Sequence, residues 1–266
     1  MHFATPLFLA SLLTLTSAGP IYSPLASGSF PPAIAKYLSN AAFGSGLLKA
    51  IAPMCSSIDT ITMDAGALPP PADGLKLWHI AIGRGTQNYT CPVEKGESAA
   101  PVPLGAVATL YNATCIAGRA GVDKVRDMTN AIALQDRDAN FGLQLLQSGN
   151  HYFPDTAATV ATFNLNMGRE DTNYGITFQK KTSNVTAPAD AGKGQDGSAA
   201  VPWLQLTAPE TIPNGYTLRA QDASSKIVNV YRLNTAGGAG PKTCQGLLGQ
   251  SFTREYAAEY WFWHRV

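Results

Sequence analysis

Short strand-like stretches separated by turn-forming residues fill the chain after Cys55. The connections are rich in Pro and Gly, as in residues 68–74, which read Leu-Pro-Pro-Pro-Ala-Asp-Gly. Apolar runs bounded in this way are typical of β-strands joined by turns. The pattern predicts strands over residues 58–63, 75–82, 87–91, 106–112, 160–165, 174–180, 203–207, 226–235 and 254–263.

Two regions show the three- and four-residue spacing of helices instead. Residues 32–51 do so between prolines, and a Pro-, Gly- and Ser-rich stretch precedes them, so residues 19–53 are predicted to form an N-terminal arm with a helix. Residues 122–147 have the same spacing, which predicts one or two helices inserted between strands. We therefore expect a mainly β fold, an antiparallel sandwich or barrel, with the helical arm, the helical insertion and a single β-rich domain over 54–266.

The last predicted strand is apolar or aromatic on both faces, which predicts a central position in the sheet. Glu259 lies on one of these faces, and a buried carboxylate needs a partner. Arg232, in the preceding predicted strand, is the expected partner, and a buried Arg–Glu pair would fix the strand register. Alternation gives one face of Tyr256, Ala258, Tyr260 and Phe262 and an opposite face of Ala257, Glu259, Trp261 and Trp263.

The N-terminus has the layout of a signal peptide. A short apolar run over residues 7–15 is followed by small residues up to Ala18 and by the helix-breaking pair Gly19-Pro20. A membrane-spanning helix needs about 20 apolar residues, roughly twice this run. We expect residues 1–18 to be removed and the protein to be secreted and extracellular.

The charge balance argues against two classes of partner. The formal net charge is +1, only 14% of the residues are charged, and there is no basic run. Nucleic acids and anionic membranes both attract strongly basic surfaces, so neither is expected to be the main partner. A surface with so few charges relies on uncharged polar side chains, and glycans would add to its solubility.

The cysteines and sequons fit an oxidising compartment. Four cysteines follow the leader, an even number that predicts two disulfides, and their spacing does not fit a zinc site. Three pairings are open at this point. Three sequons meet the N-glycosylation rule, at Asn88, Asn112 and Asn184, of which Asn184 in a polar loop is the best acceptor. The cysteines are Cys55, Cys91, Cys115 and Cys244.

Six ordered motifs resemble a fungal and bacterial family of secreted proteins, catalogued as domain of unknown function 3455. The resemblance covers most of the chain after the leader, from about Cys55 to Phe262, and implies an extracellular, mainly β protein with no established biochemistry. Bacterial members have cysteines matching Cys91 and Cys244, which implies the pairings Cys91–Cys244 and Cys55–Cys115. The motifs lie at residues 83–91, 108–111, 149–153, 201–206, 231–238 and 256–262.

Members of this family are often labelled malate dehydrogenase, and the residues do not support that activity. Residues 83–88, Gly-Arg-Gly-Thr-Gln-Asn, lack the third glycine of a dinucleotide-binding loop. Strand-like sequence follows them, whereas the cofactor's pyrophosphate needs a helix N-terminus. We expect no NAD-dependent malate dehydrogenase activity and no cofactor.

Two residues are candidates for catalysis. His151, in Gly-Asn-His-Tyr-Phe, can act as a general base, or it can simply bond a loop carbonyl. Glu259 can act as a general acid if burial raises its pKa, or it can pair with Arg232. The chain after the leader has only His79, His151 and His264, without metal-binding spacing, and no serine-hydrolase elbow, so no metal site is expected.

Aromatic and polar side chains in the motifs can line a ligand groove, or they can belong to the core. The leading hypothesis is a non-catalytic secreted glycoprotein that binds a glycan, the cell wall or a small apolar molecule. One alternative is an extracellular hydrolase that uses Glu259, His151 or both. Another is an interaction protein on a host or conidial surface with no pocket. The candidate ligand-binding residues are Gln87, Tyr89, His151, Tyr152, Trp203, Arg232 and Asn234.

Overall fold

The structure of this protein is a computed structural model in which eight antiparallel strands close into one barrel. The strands follow one another around the barrel in chain order, and β8 closes it by pairing with β1. They are β1 (Leu75–Thr90), β2 (Val102–Asn112), β3 (Gln147–Tyr152), β4 (Ala161–Asn164), β5 (Ile176–Val185), β6 (Trp203–Thr207), β7 (Ile227–Gly237) and β8 (Ser251–Arg265).

The predicted mainly β, antiparallel fold is confirmed, and the open choice between sandwich and barrel is decided for the barrel. The predicted signal peptide (1–18), the predicted helical arm (19–53) and Cys55 lie outside the residues that the structure describes. The described residues are 58–135, 146–154, 159–166, 175–210 and 226–266.

Two of the predicted strands are one strand in the structure. The long strand β1 runs through the Gly-Arg-Gly segment that the prediction treated as a break. Gly83 faces the barrel interior, where an added Cβ would lie 2.5 Å from Cε2 of Tyr260. The glycine therefore makes room for a tyrosine ring and does not form a turn.

Two further strand assignments were wrong. Residues 58–63 begin with a short 3-10 helix, Ile58–Thr60, and do not form a strand. Their apolar residues Ile58, Ile61 and Met63 pack against the outer face of the barrel, which explains their hydrophobicity. Strand β3 was not predicted, because it is only six residues long and is centred on Gly149 and Asn150.

The predicted helical insertion is present between β2 and β3 and begins earlier than expected. It contains α1 (Thr114–Ala120) and α2 (Val122–Ala133), whereas residues 136–145 are not among the described ones. The buried face of α2 packs on the outside of β7 and β8. That face consists of Val125, Met128, Thr129, Ile132 and Ala133.

The central position predicted for the last strand is confirmed, because β8 lies between β1 and β7. Its two faces enter two separate cores. Tyr256, Tyr260 and Phe262 pack inside the barrel, and Trp261 packs in an outer core beneath the helices and residues 58–68. Burying an aromatic side chain contributes roughly 1.5–3 kcal/mol, so both cores stabilise this strand.

A disulfide lies at one end of the barrel. Cys91 after β1 pairs with Cys244 before β8, with Cα atoms 5.6 Å apart, as the family resemblance implied. Cys115 is disulfide-bonded too, and its expected partner Cys55 lies outside the described residues. We call the end where β1 ends and β8 begins the disulfide end. None of the described helices has the length and hydropathy needed to cross a membrane.

Candidate functional site

Five polar side chains lie together inside the barrel, towards the disulfide end. Strand alternation places them there, since β8 pairs Tyr260 with Arg232 and Tyr256 with Gly85, and β2 pairs Ala108 with His151. The neighbouring interior positions of β1 and β2 are glycine or alanine, which leaves room for the larger rings. We call this set the interior polar cluster; it consists of Gln87, His151, Arg232, Tyr256 and Tyr260.

The two tyrosines connect the members of the cluster. Their hydroxyl oxygens are 2.8 Å apart and share a hydrogen bond. Burial raises the pKa of Tyr260, and the nearby Arg232 guanidinium opposes part of that rise. Burial also raises the pKa of Tyr256, beside which the Gln87 side chain lies. Both phenols therefore stay protonated and neutral, and because one donates to the other, a single hydroxyl proton is left for another acceptor.

His151 is held as a neutral ring. Its Nδ1 lies 3.0 Å from the carbonyl oxygen of Thr162, so Nδ1 has the proton and donates it, and Nε2 has the lone pair. The ring stacks on Phe163 at 4.3 Å and lies 5.5 Å from the ring of Tyr260. Burial lowers the pKa of His151 to about 4; the bond to Thr162 opposes this shift, and the charge of Arg232 adds to it.

Arg232 is the charged member of the cluster. It is 8% exposed, and its Nη2 donates to the carbonyl oxygen of Pro202 at 2.9 Å. No carboxylate among the described residues forms an ion pair with it. Its Nε and the amide Nε2 of Gln87 are buried without a hydrogen-bond partner. The cluster therefore contains one uncompensated positive charge and two unused donors.

Four of the predicted ligand-binding residues lie on the inner face. Gln87, His151 and Arg232 belong to the cluster. Tyr89 lies two residues after Gln87 on β1, at the next inward-facing position. The hydroxyl of Tyr89 donates to the carbonyl oxygen of Gly238 at 2.8 Å, and its ring stacks on Phe252. Tyr89 thus lies at the rim of the disulfide end.

The other three predicted residues are not in the cluster. Trp203 is buried in the outer core, where Gly66 lies against its ring. Tyr152 follows the inward-facing His151 and points to the opposite face of β3. Asn234 adopts a φ of 46° in the bulge of β7 and lies beside Glu259. Strand alternation and the bulge decide the face on which each of the three lies, and their role in ligand binding stays a prediction.

The predicted ion pair between Arg232 and Glu259 is contradicted by the structure. Glu259 is opposite Leu233, and Arg232 is opposite Tyr260, so the two side chains lie on opposite faces of the sheet. Glu259 is completely buried on the outer face, where its Oε2 accepts from Nε1 of Trp261 at 2.9 Å and its Oε1 has no partner. Burial raises the pKa of Glu259 to about 7. Hydrogen bonds from Trp261 and Asn234 and the charge of Arg126 limit this rise.

His151 and Glu259 consequently do not share a site. One faces the barrel interior and the other lies beneath α2, with the wall of the barrel between them. An acid and a base that act on one substrate must both reach it within hydrogen-bond distance. The hydrolase that uses both residues together is therefore contradicted by the geometry.

Tyr256 is a cluster member that the sequence reasoning did not single out. It was assigned to a strand face, but its role follows from the four-residue separation from Tyr260 on that face. Gln179 on β5 is also buried on the inner face, with Oε1 unpartnered and Nε2 donating to Thr177 Oγ1 at 2.7 Å. The alternation of residues along β5 was the signal that could have predicted a glutamine on the inner face.

Two other predicted features take ordinary structural positions. Residues 83–88 form part of strand β1, so they provide no loop-to-helix turn for a dinucleotide. His79 is buried between Thr114 Oγ1 and Ser148 Oγ, each at 3.0 Å, and burial lowers its pKa to about 3. In the described ranges, no cluster of three or more His, Cys, Asp or Glu is suited to hold a metal ion.

The sequons differ in exposure. Asn184 is exposed on strand β5 and does not lie in the loop that was expected, whereas Asn88 and Asn112 are half-buried. The side-chain oxygen of Asn112 accepts from the backbone N–H of Thr114 at 3.0 Å at the start of α1. Asn184 is therefore the sequon most open to the glycosyltransferase.

The comparison with known proteins gives a family and no function. No curated protein and no solved structure matches the chain significantly. The sequence profile of one family, described as protein of unknown function (DUF3455), matches residues 71–264. These residues include all eight strands except the C-terminal end of β8, and the interior polar cluster lies within them. The chain therefore belongs to the DUF3455 family of proteins of unknown function.

Proposed function

We propose that this protein is a secreted, non-catalytic binding protein that takes a small ligand into the disulfide end of its barrel. The observation that carries the proposal is the interior polar cluster, with the uncompensated Arg232 and the unpartnered Nε2 of Gln87. Buried polar groups without partners are costly and rare. A ligand that supplies hydrogen-bond partners for these groups removes this unfavourable free energy, and its removal favours binding.

The barrel size fits a small ligand. Eight-stranded barrels have an interior that side chains fill or that encloses one small molecule. Phe163 and Phe262, which neighbour the cluster, are completely buried and make its surroundings apolar. Arg232 and Gln87 are each 8% exposed, so the cluster reaches solvent at its edge.

A wall polysaccharide fits the structure less well than a small molecule. Binding a polymer calls for a row of exposed aromatic side chains against which sugar rings can stack. Three of the aromatic residues that could form such a groove are buried in the outer core, namely Trp203, Tyr231 and Trp261. The small-molecule form of the ligand hypothesis is therefore the one we propose.

Catalysis has less support than binding. The cluster consists of hydrogen-bond donors, one cation and a neutral histidine whose ring stacks on Phe163 and lies edge-on to Phe153. No carboxylate of the described residues joins it on the inner face. Glu259, the acid of the hydrolase alternative, is completely buried under α2 and has no contact with this interior.

Titration calorimetry on the full secreted protein, with its disulfides intact, tests the proposal. The probes are small aromatic and aliphatic molecules, namely phenol, indole, benzoate, benzamide and hexanoate, and a sedimentation assay on chitin and β-glucan is run alongside. We expect saturable binding of at least one small probe, which Tyr256→Phe weakens and the exposed control Arg126→Gln does not. Retention on a polysaccharide together with no small-molecule binding would overturn the proposal.

A further inference from the structure

We infer that the ligand of the barrel carries a carboxylate and that this group pairs with Arg232. The inference rests on the proposed function and adds the chemical class of the ligand. It starts from a comparison of Arg232 with the other buried arginine of the described residues, Arg84. These two side chains have similar burial but very different partners.

The charge of Arg84 is compensated, although its Nε, like that of Arg232, is buried without a hydrogen-bond partner. Its guanidinium forms an ion pair with Glu255 and donates to the backbone oxygens of Gly85, Tyr256 and Gln135 at 2.8–3.2 Å. Arg254, near the rim of the disulfide end, is also paired, with Asp196 at 2.9 Å. Arg84 and Arg254, which lie in the barrel wall near this end, thus each have a carboxylate partner.

Arg232 has no such partner. One backbone oxygen, that of Pro202, accepts from its Nη2, and its Nε makes no hydrogen bond. A guanidinium remains protonated at any physiological pH, so it cannot avoid the cost by losing its proton. The surrounding His151, Tyr256 and Tyr260 are neutral, because burial lowers the pKa of the first and raises the pKa of the other two. The cluster therefore retains a net positive charge.

The groups around Arg232 are matched to an acceptor. The guanidinium, the amide Nε2 of Gln87 and one of the two linked tyrosine hydroxyls have protons to donate, since the other hydroxyl donates to its neighbour. A carboxylate accepts only, and a guanidinium binds it through two parallel hydrogen bonds. An alcohol or an amide would leave the positive charge uncompensated.

A carboxylate fits better than a phosphate. A phosphate group bears close to two negative charges and is usually held by several cations. Arg232 is the single charged member of the cluster, and Arg254 at the rim is already paired with Asp196. Phe163 and Phe262, which are completely buried beside the cluster, make its surroundings apolar. The ligand class is thus a monocarboxylate with an aromatic or short aliphatic body.

Paired probes that differ only in charge test the inference. Benzoate and hexanoate are compared by calorimetry with benzamide and hexanamide, and inorganic phosphate is the third arm, all with the full secreted protein. We expect both carboxylates to bind at least about tenfold more tightly than their amides, as charge-assisted hydrogen bonds are roughly twice as strong as neutral ones. Phosphate is expected to bind more weakly than benzoate.

Three variants connect the preference to Arg232. We expect Arg232→Gln to remove the preference for carboxylate over amide, Arg232→Lys to retain part of it, and the exposed control Arg126→Gln to leave it unchanged. The acid-to-amide ratio is the readout that a merely structural role would not change. Thermal unfolding without ligand checks the fold, and Arg232→Gln is expected to be no less stable than the wild type, since it removes an unpaired buried charge.

The outcomes separate the two proposals. Equal binding of acids and amides that Arg232→Gln does not change would overturn the carboxylate inference and leave the small-ligand function standing. Tighter binding of phosphate than of benzoate would overturn the choice of carboxylate. Binding of none of these probes at millimolar concentration would overturn both proposals.

Discussion

Replacing Glu259 by glutamine should remove the part of the pH dependence of the unfolding free energy that comes from this carboxyl group. Burial on the outer face raises the pKa of this carboxyl group from 4.5 to about 7. The folded protein therefore holds a proton that the unfolded chain releases at lower pH. The stability that this protonated group contributes is fully present below about pH 4.5 and is lost as the pH rises through about 7.

The magnitude follows from the two pKa values. A pKa difference of one corresponds to about 1.4 kcal/mol. The pKa of Glu259 is 4.5 in the unfolded chain and about 7 in the folded protein, so the wild type loses about 3 kcal/mol of stability at alkaline pH. Glutamine does not titrate, and its Oε1 can still accept from Nε1 of Trp261. Its buried amide N–H groups add a cost of about 1–3 kcal/mol that does not change with pH.

The measurement is urea unfolding of wild type and Glu259→Gln from about pH 4 to about pH 8, with disulfides intact. The difference in unfolding free energy between them should shift by about 3 kcal/mol in favour of glutamine across this range. Titration of the histidines occurs in both proteins and cancels in this difference. The exposed Glu97→Gln is the control and should show no such shift. A difference that stays constant with pH would refute a buried, protonated Glu259.

Four further predictions concern other parts of the molecule. His151→Phe should reduce the acid-induced loss of stability by about 3 kcal/mol. Burial lowers the pKa of His151 from 6.5 to about 4, so the neutral histidine favours the folded state above pH 6.5 and loses this effect as the pH falls through about 4. Urea unfolding at about pH 4 and at about pH 7 measures the difference. Gly83→Ala should cost about 1–3 kcal/mol in the free energy of unfolding, since its Cβ would meet a tyrosine ring at 2.5 Å. Cys91→Ser with Cys244→Ser should cost about 2–4 kcal/mol in non-reducing urea unfolding, because this disulfide closes a long loop. Asn184→Gln should lower the mass of the secreted protein by one glycan in mass spectrometry, whereas retention of the full mass would show that this exposed sequon is not used.

The fold was predictable wherever alternation or helical spacing was strong. Strand β6 was predicted with its observed bounds, and the two apolar faces of β8 predicted its central position. The prediction failed where glycines inside a strand looked like a turn, as at Gly83 in β1. It failed also where an apolar segment packs on the barrel without joining it, as residues 58–63 do. In each failure, a contact distant in sequence decides the local structure.

The site was only partly predictable, for a geometric reason. The family motifs led to Gln87, His151 and Arg232, and the structure brings these three together. The partner of Arg232 could not be found from the sequence, because a shift of one residue in strand pairing moves a side chain to the other face. The bulge between Leu233 and Ala236 adds a local offset that no residue pattern revealed.

The central claim is that the barrel interior binds a carboxylate at Arg232, and a crystal structure of the protein grown with benzoate tests it most directly. The account predicts electron density for the benzoate inside the disulfide end, with its carboxylate against the Arg232 guanidinium and hydrogen-bonded to Gln87. Ordered benzoate bound elsewhere on the barrel, with the interior polar cluster unchanged, would contradict the account.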